Sequence, residues 1–322
     1  MQIKFKAYLE LTLAMFIAGS SVVVSKLLVQ TLPVFLASEC SLIIALMILI
    51  PLTFITKKDL PKLDMKTTSI LFLQSITGVF LFRVLLFFGL KFTSAIESGL
   101  ITSASPAMVG ILAYFILKEK LSLNRVIGII CVVIGILIVN IYNSINIPSN
   151  NLNSIKGNVL IFIAIICEAL FSVLSKKTII PIPSLYRTTI ITIFSTLCFI
   201  PFSIYDMLHF DFSHLNSTAY LSVLYYGIFV SVISYILWFK GISKVPASNA
   251  AVFTGIMSVS SICLSSIILS EKILPVHVLS LLLIILGIYI SCSNNVNRLT
   301  FRTNGNIRKA SKFSFHNDVS EN

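Results

Sequence analysis

Charged residues are scarce in this chain. They make up 11% of its 322 residues, whereas 57% are hydrophobic, and the mean hydropathy is +0.98. A soluble domain carries about 25% charged residues. Because so few charges cannot cover the surface of a protein in water, the composition predicts a protein whose solvent is a lipid bilayer.

Other absences exclude classes of function. The six cysteines form no Cys-x-x-Cys spacing and all lie inside apolar runs, which favours small packing residues over a disulfide or metal framework. The four histidines are scattered over an outer loop, a helix start and the tail, so no catalytic constellation is predicted. A Walker motif is also missing, which argues against direct driving by ATP. We therefore expect no enzyme, no cofactor and no metal.

The net charge of +12 does not indicate a nucleic-acid partner. The basic residues do not cluster on an amphipathic element. They lie between the apolar runs instead, as residues that orient a protein in a membrane do.

Ten apolar runs are long enough to cross a bilayer, which takes about 20 residues each. Pro33, the basic segment 57–62 and Pro246 are among the features that separate them. Runs this apolar, without period-two alternation, predict helices rather than barrel strands, and hence an all-α membrane protein. The predicted spans are 7–29, 33–56, 67–90, 93–117, 123–142, 156–179, 183–207, 217–240, 246–269 and 274–293.

Lysine and arginine predict the orientation. With a cytoplasmic N-terminus, 18 of the 24 basic residues fall inside, four fall outside, and Arg83 and Arg187 lie within spans. An excess of basic residues marks the cytoplasmic side. Both termini are therefore predicted to be cytoplasmic, in a multi-pass protein of the cell (inner) membrane. The four outer residues are Lys26, Lys91, Lys156 and Lys272.

The second half of the chain repeats the first. Residues 89–137 and 241–289 align without a gap at a shift of 152, with 11 identities in 49 positions. Glu119 and Glu271, each followed by a lysine, fall on one another at the end of a long apolar run. Five helices per half is an odd number, so the second half is predicted to enter the membrane upside down. Inverted repeats of this kind are typical of secondary transporters.

These features divide the chain into four parts. The first repeat, with helices 1–5, is predicted at 1–142, and the second, with helices 6–10, at 156–293. An outer linker at 143–155 joins them. The tail at 294–322 is polar, basic and without periodicity, which predicts a disordered cytoplasmic segment.

The repeats also carry a resemblance to a known family. The stretch 105–135, with Pro106 and Glu119, has the pattern of a proline, an apolar helix, an acidic residue between leucines and then glycines. The stretch 235–247 supplies the start of the corresponding region in the second repeat. Together they resemble the EamA type of the drug/metabolite transporter superfamily, with two five-helix repeats, over about residues 7–293. The resemblance implies a permease.

Four charged residues lie well inside the predicted spans: Glu39, Arg83, Glu97 and Glu168. A charge at the bilayer centre costs roughly 2.5–3.5 kcal/mol on insertion scales and faces the bundle interior or a water-filled cavity. They could form a fixed ion pair, for example Arg83 with Glu97. They could instead bind charged groups of a substrate or carry a coupling proton. Because three carboxylates compete for one arginine, at least one is expected to be functional.

Polar and aromatic residues complete the predicted site. Pro106 removes a backbone hydrogen bond within a span and frees the carbonyl of Thr102, and irregular backbone in a membrane lines a cavity. Tyr235 and Trp238 lie three residues apart on one helical face. Most aromatic residues of this helix are expected to face lipid or to serve packing, and an inward subset with Tyr235 and Trp238 would line an apolar or aromatic pocket. Trp238 fits an aromatic belt at the interface equally well.

The sequence thus predicts a secondary transporter of a small polar metabolite, with an amino acid or related zwitterion as the leading substrate class, working by alternating access. Coupling to protons and exchange with a counter-substrate both stay open. An exporter or exchanger of a nucleoside-like or adenosyl metabolite is one alternative, and a channel or membrane scaffold is another. Alanine at Arg83, Glu97 or Glu168 is expected to abolish transport without preventing insertion.

Overall fold

The computed structural model describes residues 2–56, 63–117, 123–146, 151–177, 182–244 and 247–292. Helices fill these ranges, and no strand occurs in them. Ten helices follow one another along the described residues: α1 Gln2–Thr31, α2 Val34–Ile55, α3 Met65–Phe92, α4 in two pieces Ala95–Thr102 and Ser105–Leu117, α5 Leu123–Asn146, α6 Asn151–Lys177, α7 Ser184–His209, α8 Ser217–Lys244, α9 Ala247–Ile268 and α10 Pro275–Cys292.

Seven of these helices, namely α1 to α4 and α6 to α8, are long and apolar enough to cross a membrane by length and composition. The apolar stretches of α5, α9 and α10 are shorter: Val126–Gly135, Phe253–Ile268 and Pro275–Gly287. The prediction of an all-helical membrane protein is confirmed at this level. The number of ten membrane-spanning helices and the cytoplasmic location of the two termini stay predictions.

The structure describes part of the predicted linker and none of the predicted tail. Helix occupies both ends of the segment 143–155, because α5 runs to Asn146 and α6 begins at Asn151. Residues 147–150 and the whole predicted tail 294–322 lie outside the described residues.

Several helices begin at residues that suit a helix start. The side chains of Asp64, Ser94 and Asn216 each accept a hydrogen bond from the backbone N–H three residues on, at 3.2, 3.1 and 3.0 Å. Such caps satisfy N–H groups that have no partner within the helix. Pro33 and Pro183 stand directly before α2 and α7, where their missing N–H costs nothing.

Three helices are interrupted near the middle. The segments Ile76–Leu81 of α3 and Tyr226–Ser234 of α8 are π-helical, and we call them the wide turns. They begin 150 residues apart, close to the shift of the sequence repeat, and wide turns of this kind are frequent at functional sites. In α4 the helix stops at Thr102 and resumes at Ser105, as the proline at position 106 predicts.

The helices of the two halves interleave. In the first half α1 packs on α8 and α9, and in the second half its counterpart α6 packs on α3 and α4. Three further pairs join counterparts directly: α2 with α7, α4 with α9, and α5 with α10. In addition α2 packs on α8, and its counterpart α7 packs on α3. Exchanging every helix for its counterpart reproduces these principal pairs, and both halves contribute to the centre of the bundle.

Candidate functional site

A central cavity of about 670 Å³, counting its open mouth, lies between the two halves. Its wall is formed by α1 and α3 of the first half and by α6, α8 and α9 of the second. Five aromatic side chains form much of the wall: Phe82, Phe171, Tyr226, Tyr235 and Trp238.

Arg83 lines this cavity and is 2% exposed. Its Nη1 donates to Ser41 Oγ at 2.9 Å and to the carbonyl of Ser38 at 3.4 Å, and its Nη2 donates to Ser231 Oγ at 2.7 Å. Its guanidinium carbon lies 4.6 Å from the ring centre of Tyr226. Within the described residues no carboxylate oxygen comes within 4.0 Å of this guanidinium. The hydrogen-bond partners of the buried charge are therefore all neutral, and the carboxylate of Glu39 acts on it electrostatically without forming an ion pair.

The two wide turns place these groups. Arg83 follows the wide turn of α3 by two residues, and Tyr226 and Ser231 belong to the wide turn of α8. A cation over an aromatic face is stabilised by the ring quadrupole. The guanidinium of Arg83 thus contacts Ser41 of α2 and both Ser231 and Tyr226 of α8. We call this arrangement the clamp.

Glu168 is the second charged residue of the cavity wall. It lies on α6, and its Oε2 is buried without a hydrogen-bond partner among the described residues. The indole Nε1 of Trp238 is also buried without such a partner. Since buried polar atoms normally have partners, these two atoms mark places where a bound molecule could supply one.

Tyr235 of α8 also lines the cavity. Its hydroxyl donates to the carbonyl of Gly78 at 3.3 Å. Its ring packs edge-on against Phe171, with 5.9 Å between the ring centres. Trp238 is 6% exposed and lies in the cavity wall.

The other predicted residues lie away from the cavity wall. Glu39 is 6% exposed on α2, and its Oε2 lacks a hydrogen-bond partner among the described residues. Glu97 accepts hydrogen bonds at Oε2 from Thr93 at 2.9 Å and from Asn158 at 3.0 Å. Thr102 lies 3.3 Å from Ser258 of α9 between the hydroxyl oxygens. The ion pair of Arg83 with Glu97 is not formed.

Sequence reasoning missed the partners that hold Arg83. Ser41 and Ser231 carry no distinguishing signal, because serines within apolar spans also serve close helix packing. Tyr226 belongs to the dense aromatic stretch of α8, which was the one available signal. Phe82 and Phe171 are ordinary core residues by pattern, and only the packing of α3 on α6 brings them to the cavity.

Comparison with known proteins agrees with this architecture. The EamA-like transporter family matches the chain twice, over residues 5–141 and 155–293. The chain is 39% identical over 285 residues to "Uncharacterized transporter YetK" of Bacillus subtilis, covering 88% of this chain and 86% of that protein. It is 29% identical over 213 residues to "Uncharacterized transporter YyaM" of the same organism, covering 66% and 69%.

More distant similarities extend the comparison. "WAT1-related protein At5g07050" of Arabidopsis thaliana is 25% identical over 273 residues, covering 73% of this chain and 67% of that protein. A solved crystal structure of a protein that is 16% identical superposes with a TM-score of 0.60. The match covers 86% of this chain and 97% of the other chain. That likeness concerns the fold alone. With two copies of the family domain and relatives named as transporters, the chain is a membrane transporter rather than an enzyme, and it belongs to the EamA-like transporter family.

Proposed function

We propose that this protein is a secondary transporter that moves a small zwitterionic metabolite, an amino acid or a close relative, through the central cavity by alternating access. The observation that carries the proposal is Arg83. It is a buried cation in the wall of a cavity between the two halves, and its described hydrogen-bond partners are all neutral.

Burying a charge costs several kcal/mol, and Glu39, which acts on Arg83 electrostatically, does not offset this cost by an ion pair. A guanidinium has five N–H donors in a planar fork, and Arg83 makes three hydrogen bonds, all to oxygens of serine residues. A carboxylate entering the cavity would satisfy the remaining donors and neutralise the charge. Arginine–carboxylate pairs are among the strongest hydrogen-bonded contacts, so an anionic group is the chemistry that this position fits.

The second polar feature fits the other end of a zwitterion. Glu168 offers a carboxylate in the same wall, with one oxygen lacking a described partner. An ammonium group of the substrate would supply both the missing hydrogen bond and the opposite charge. The aromatic wall would then enclose the apolar part of the substrate.

The packing supports alternating access. The principal pairs of helices are kept when each helix is exchanged for its counterpart, and the cavity has wall residues from both halves. In the proposed arrangement the halves are inverted repeats that rock about the cavity near the bilayer midplane. Both termini then lie in the cytoplasm, the protein resides in the cell membrane, and a proton gradient or an exchanged counter-substrate supplies the driving force.

Transport by the purified protein in proteoliposomes tests the proposal. Each radiolabelled L-amino acid is offered in turn, with and without a pH gradient, to vesicles containing the wild type, Arg83→Gln or Arg187→Gln. Arg187 is a matched control because it is a buried arginine that is not part of the cavity wall.

We expect saturable uptake of at least one amino acid by the wild type and by Arg187→Gln, and its loss in Arg83→Gln at equal insertion. Saturable uptake of nucleosides or adenosyl compounds, with no amino acid carried, would support the alternative substrate class. Normal uptake by Arg83→Gln would contradict the proposed site.

A further inference from the structure

Arg83 and Tyr235 occupy the same position of the two repeats at the 152-residue shift, and each reaches into the wide turn of the opposite repeat. Arg83 donates to Ser231 Oγ at 2.7 Å, and Tyr235 donates to the carbonyl of Gly78 at 3.3 Å. The two contacts are reciprocal, and they join the repeats at the wall of the central cavity.

Ser231 is set up to act as an acceptor for Arg83. It is 2% exposed, and its hydroxyl donates to the carbonyl of Tyr226 at 2.9 Å, five residues earlier in the wide turn. The hydroxyl hydrogen is thus committed to the backbone. The lone pairs of the oxygen remain for the guanidinium.

A glycine brings the opposing helix close enough to complete the clamp. A Cβ at Gly227 would lie 2.8 Å from the carbonyl oxygen of Ser41 and 2.9 Å from Cβ of Ile44. Only glycine permits this approach of α2 to the wide turn of α8. Ser41 and Ser231 can therefore reach the same guanidinium from two helices that belong to different repeats.

We propose that Ser231 is a positioning residue that acts through Arg83 and orients its guanidinium for the anionic group of the substrate. The inference rests on the proposed function of the cavity and adds that the anion site needs a side chain of the second repeat as well as the arginine of the first. A serine that served helix packing alone would influence stability without influencing anion affinity.

The single tryptophan of the chain provides a probe that needs no knowledge of the substrate. Trp238 lines the same cavity as Arg83. Iodide quenches indole fluorescence on contact, and acrylamide does so without a charge. Quenching is measured on the detergent-purified protein and on Ser231→Ala, Ser231→Thr, Arg83→Gln and Ser265→Ala. Ser265 is a matched control because it is fully buried and donates within its own helix to Ser261 at 2.6 Å.

We expect saturable iodide quenching in the wild type and in Ser265→Ala. In Ser231→Ala the half-saturating iodide concentration should rise by about three- to tenfold, because the guanidinium must then be ordered on binding. Acrylamide quenching and the melting temperature should stay within error. Ser231→Thr should restore the wild-type value because it keeps the hydroxyl. If threonine does not fold at this position, Ser231→Cys, which keeps a weak acceptor, should give an intermediate value.

The outcomes separate the two proposals. If Arg83→Gln abolishes saturation while Ser231→Ala leaves it unchanged, Ser231 has no positioning role and the proposed anion site stands. If iodide quenching does not saturate in the wild type, or if it still saturates in Arg83→Gln, the proposed anion site is wrong and so is the positioning role of Ser231. An equal effect of Ser231→Ala on iodide and acrylamide quenching would show a general packing change and would also overturn the inference.

Discussion

The carboxylate of Glu271 accepts a hydrogen bond of 2.9 Å from the backbone N–H of Ala95. Its second oxygen accepts another from Ile96 at 2.8 Å. A side chain from the segment after α9 thus caps the first turn of α4, which belongs to the other repeat. Ala95 aligns with Ala247 in the sequence repeat, and Glu271 aligns with Glu119, which lies outside the described residues. In the second half, therefore, the acidic residue of the repeated Glu-Lys pair joins the two repeats.

Removing this cap is expected to lower stability. Glu271→Ala should reduce the free energy of unfolding by about 1–2 kcal/mol, because two N–H groups at a helix N-terminus lose a charged acceptor. Thermal unfolding in detergent measures the effect. Lys272→Ala is the control, since Lys272 is exposed and should leave the melting temperature unchanged. Equal melting temperatures for the two variants would show that the cap contributes nothing.

Glu168 is expected to select for a substrate ammonium group. In the wild type, an N-acetylated amino acid should compete with the transported amino acid at least about tenfold more weakly than the free form does, because acetylation removes the charge that meets the carboxylate. Glu168→Gln should reduce this difference. Glu97→Gln serves as the control, because Glu97 is also an acid within a predicted span but is not in the cavity wall. If Glu168→Gln keeps the full preference, the carboxylate does not contact the substrate.

Glu97 is expected to matter for stability more than for substrate affinity. Its Oε2 joins Thr93 at the end of α3 to Asn158 of α6, away from the cavity wall. Glu97→Gln should lower the melting temperature, because a neutral acceptor replaces a charged one in two hydrogen bonds. The KM of transport should change less than about threefold, because Glu97 is not in the cavity wall. Parallel melting and uptake curves measure both quantities. A loss of affinity at unchanged stability would place Glu97 in the substrate site, as the sequence alone suggested.

The close approach of α2 and α8 can be tested by a pair of glycine substitutions. Gly227→Ala should destabilise the protein and weaken anion binding, because the new methyl group would meet the Ser41 carbonyl at 2.8 Å and force the helices apart. Gly110→Ala should be neutral or slightly stabilising, since nothing lies within 4 Å of its added Cβ. Fluorescence quenching and thermal unfolding distinguish the two. A neutral Gly227→Ala would show that the contact is not tight.

Much of the scaffold follows from local features of the sequence. The lengths of the apolar runs predict the helices, and the proline at position 106 predicts the break of α4 after Thr102. The cost of burying charge in a bilayer points to Arg83 and Glu168, and both lie in the cavity wall. These predictions depend on the residues themselves and on their immediate neighbours, which a single sequence contains.

The partners within the site depend on contacts between distant parts of the chain. Glu97 and Glu168 look alike in the sequence, as lone acids within apolar runs, yet one meets Asn158 and the other faces the cavity. Ser231 reaches Arg83 only because a wide turn and a glycine bring α8 against α2. No local pattern distinguishes it from the packing serines around it, so its role could not be predicted from the sequence.

Counter-flow is the most direct test of the central claim that one cavity is presented alternately to the two sides of the membrane. Proteoliposomes are loaded with an excess of the unlabelled amino acid that the wild type transports, and entry of trace radiolabel is followed. We predict that the loaded vesicles accumulate label transiently above equilibrium and that entry saturates with concentration, and that Arg83→Gln vesicles do neither. Entry that rises linearly with concentration and is unaffected by the internal pool would identify a channel and contradict the account.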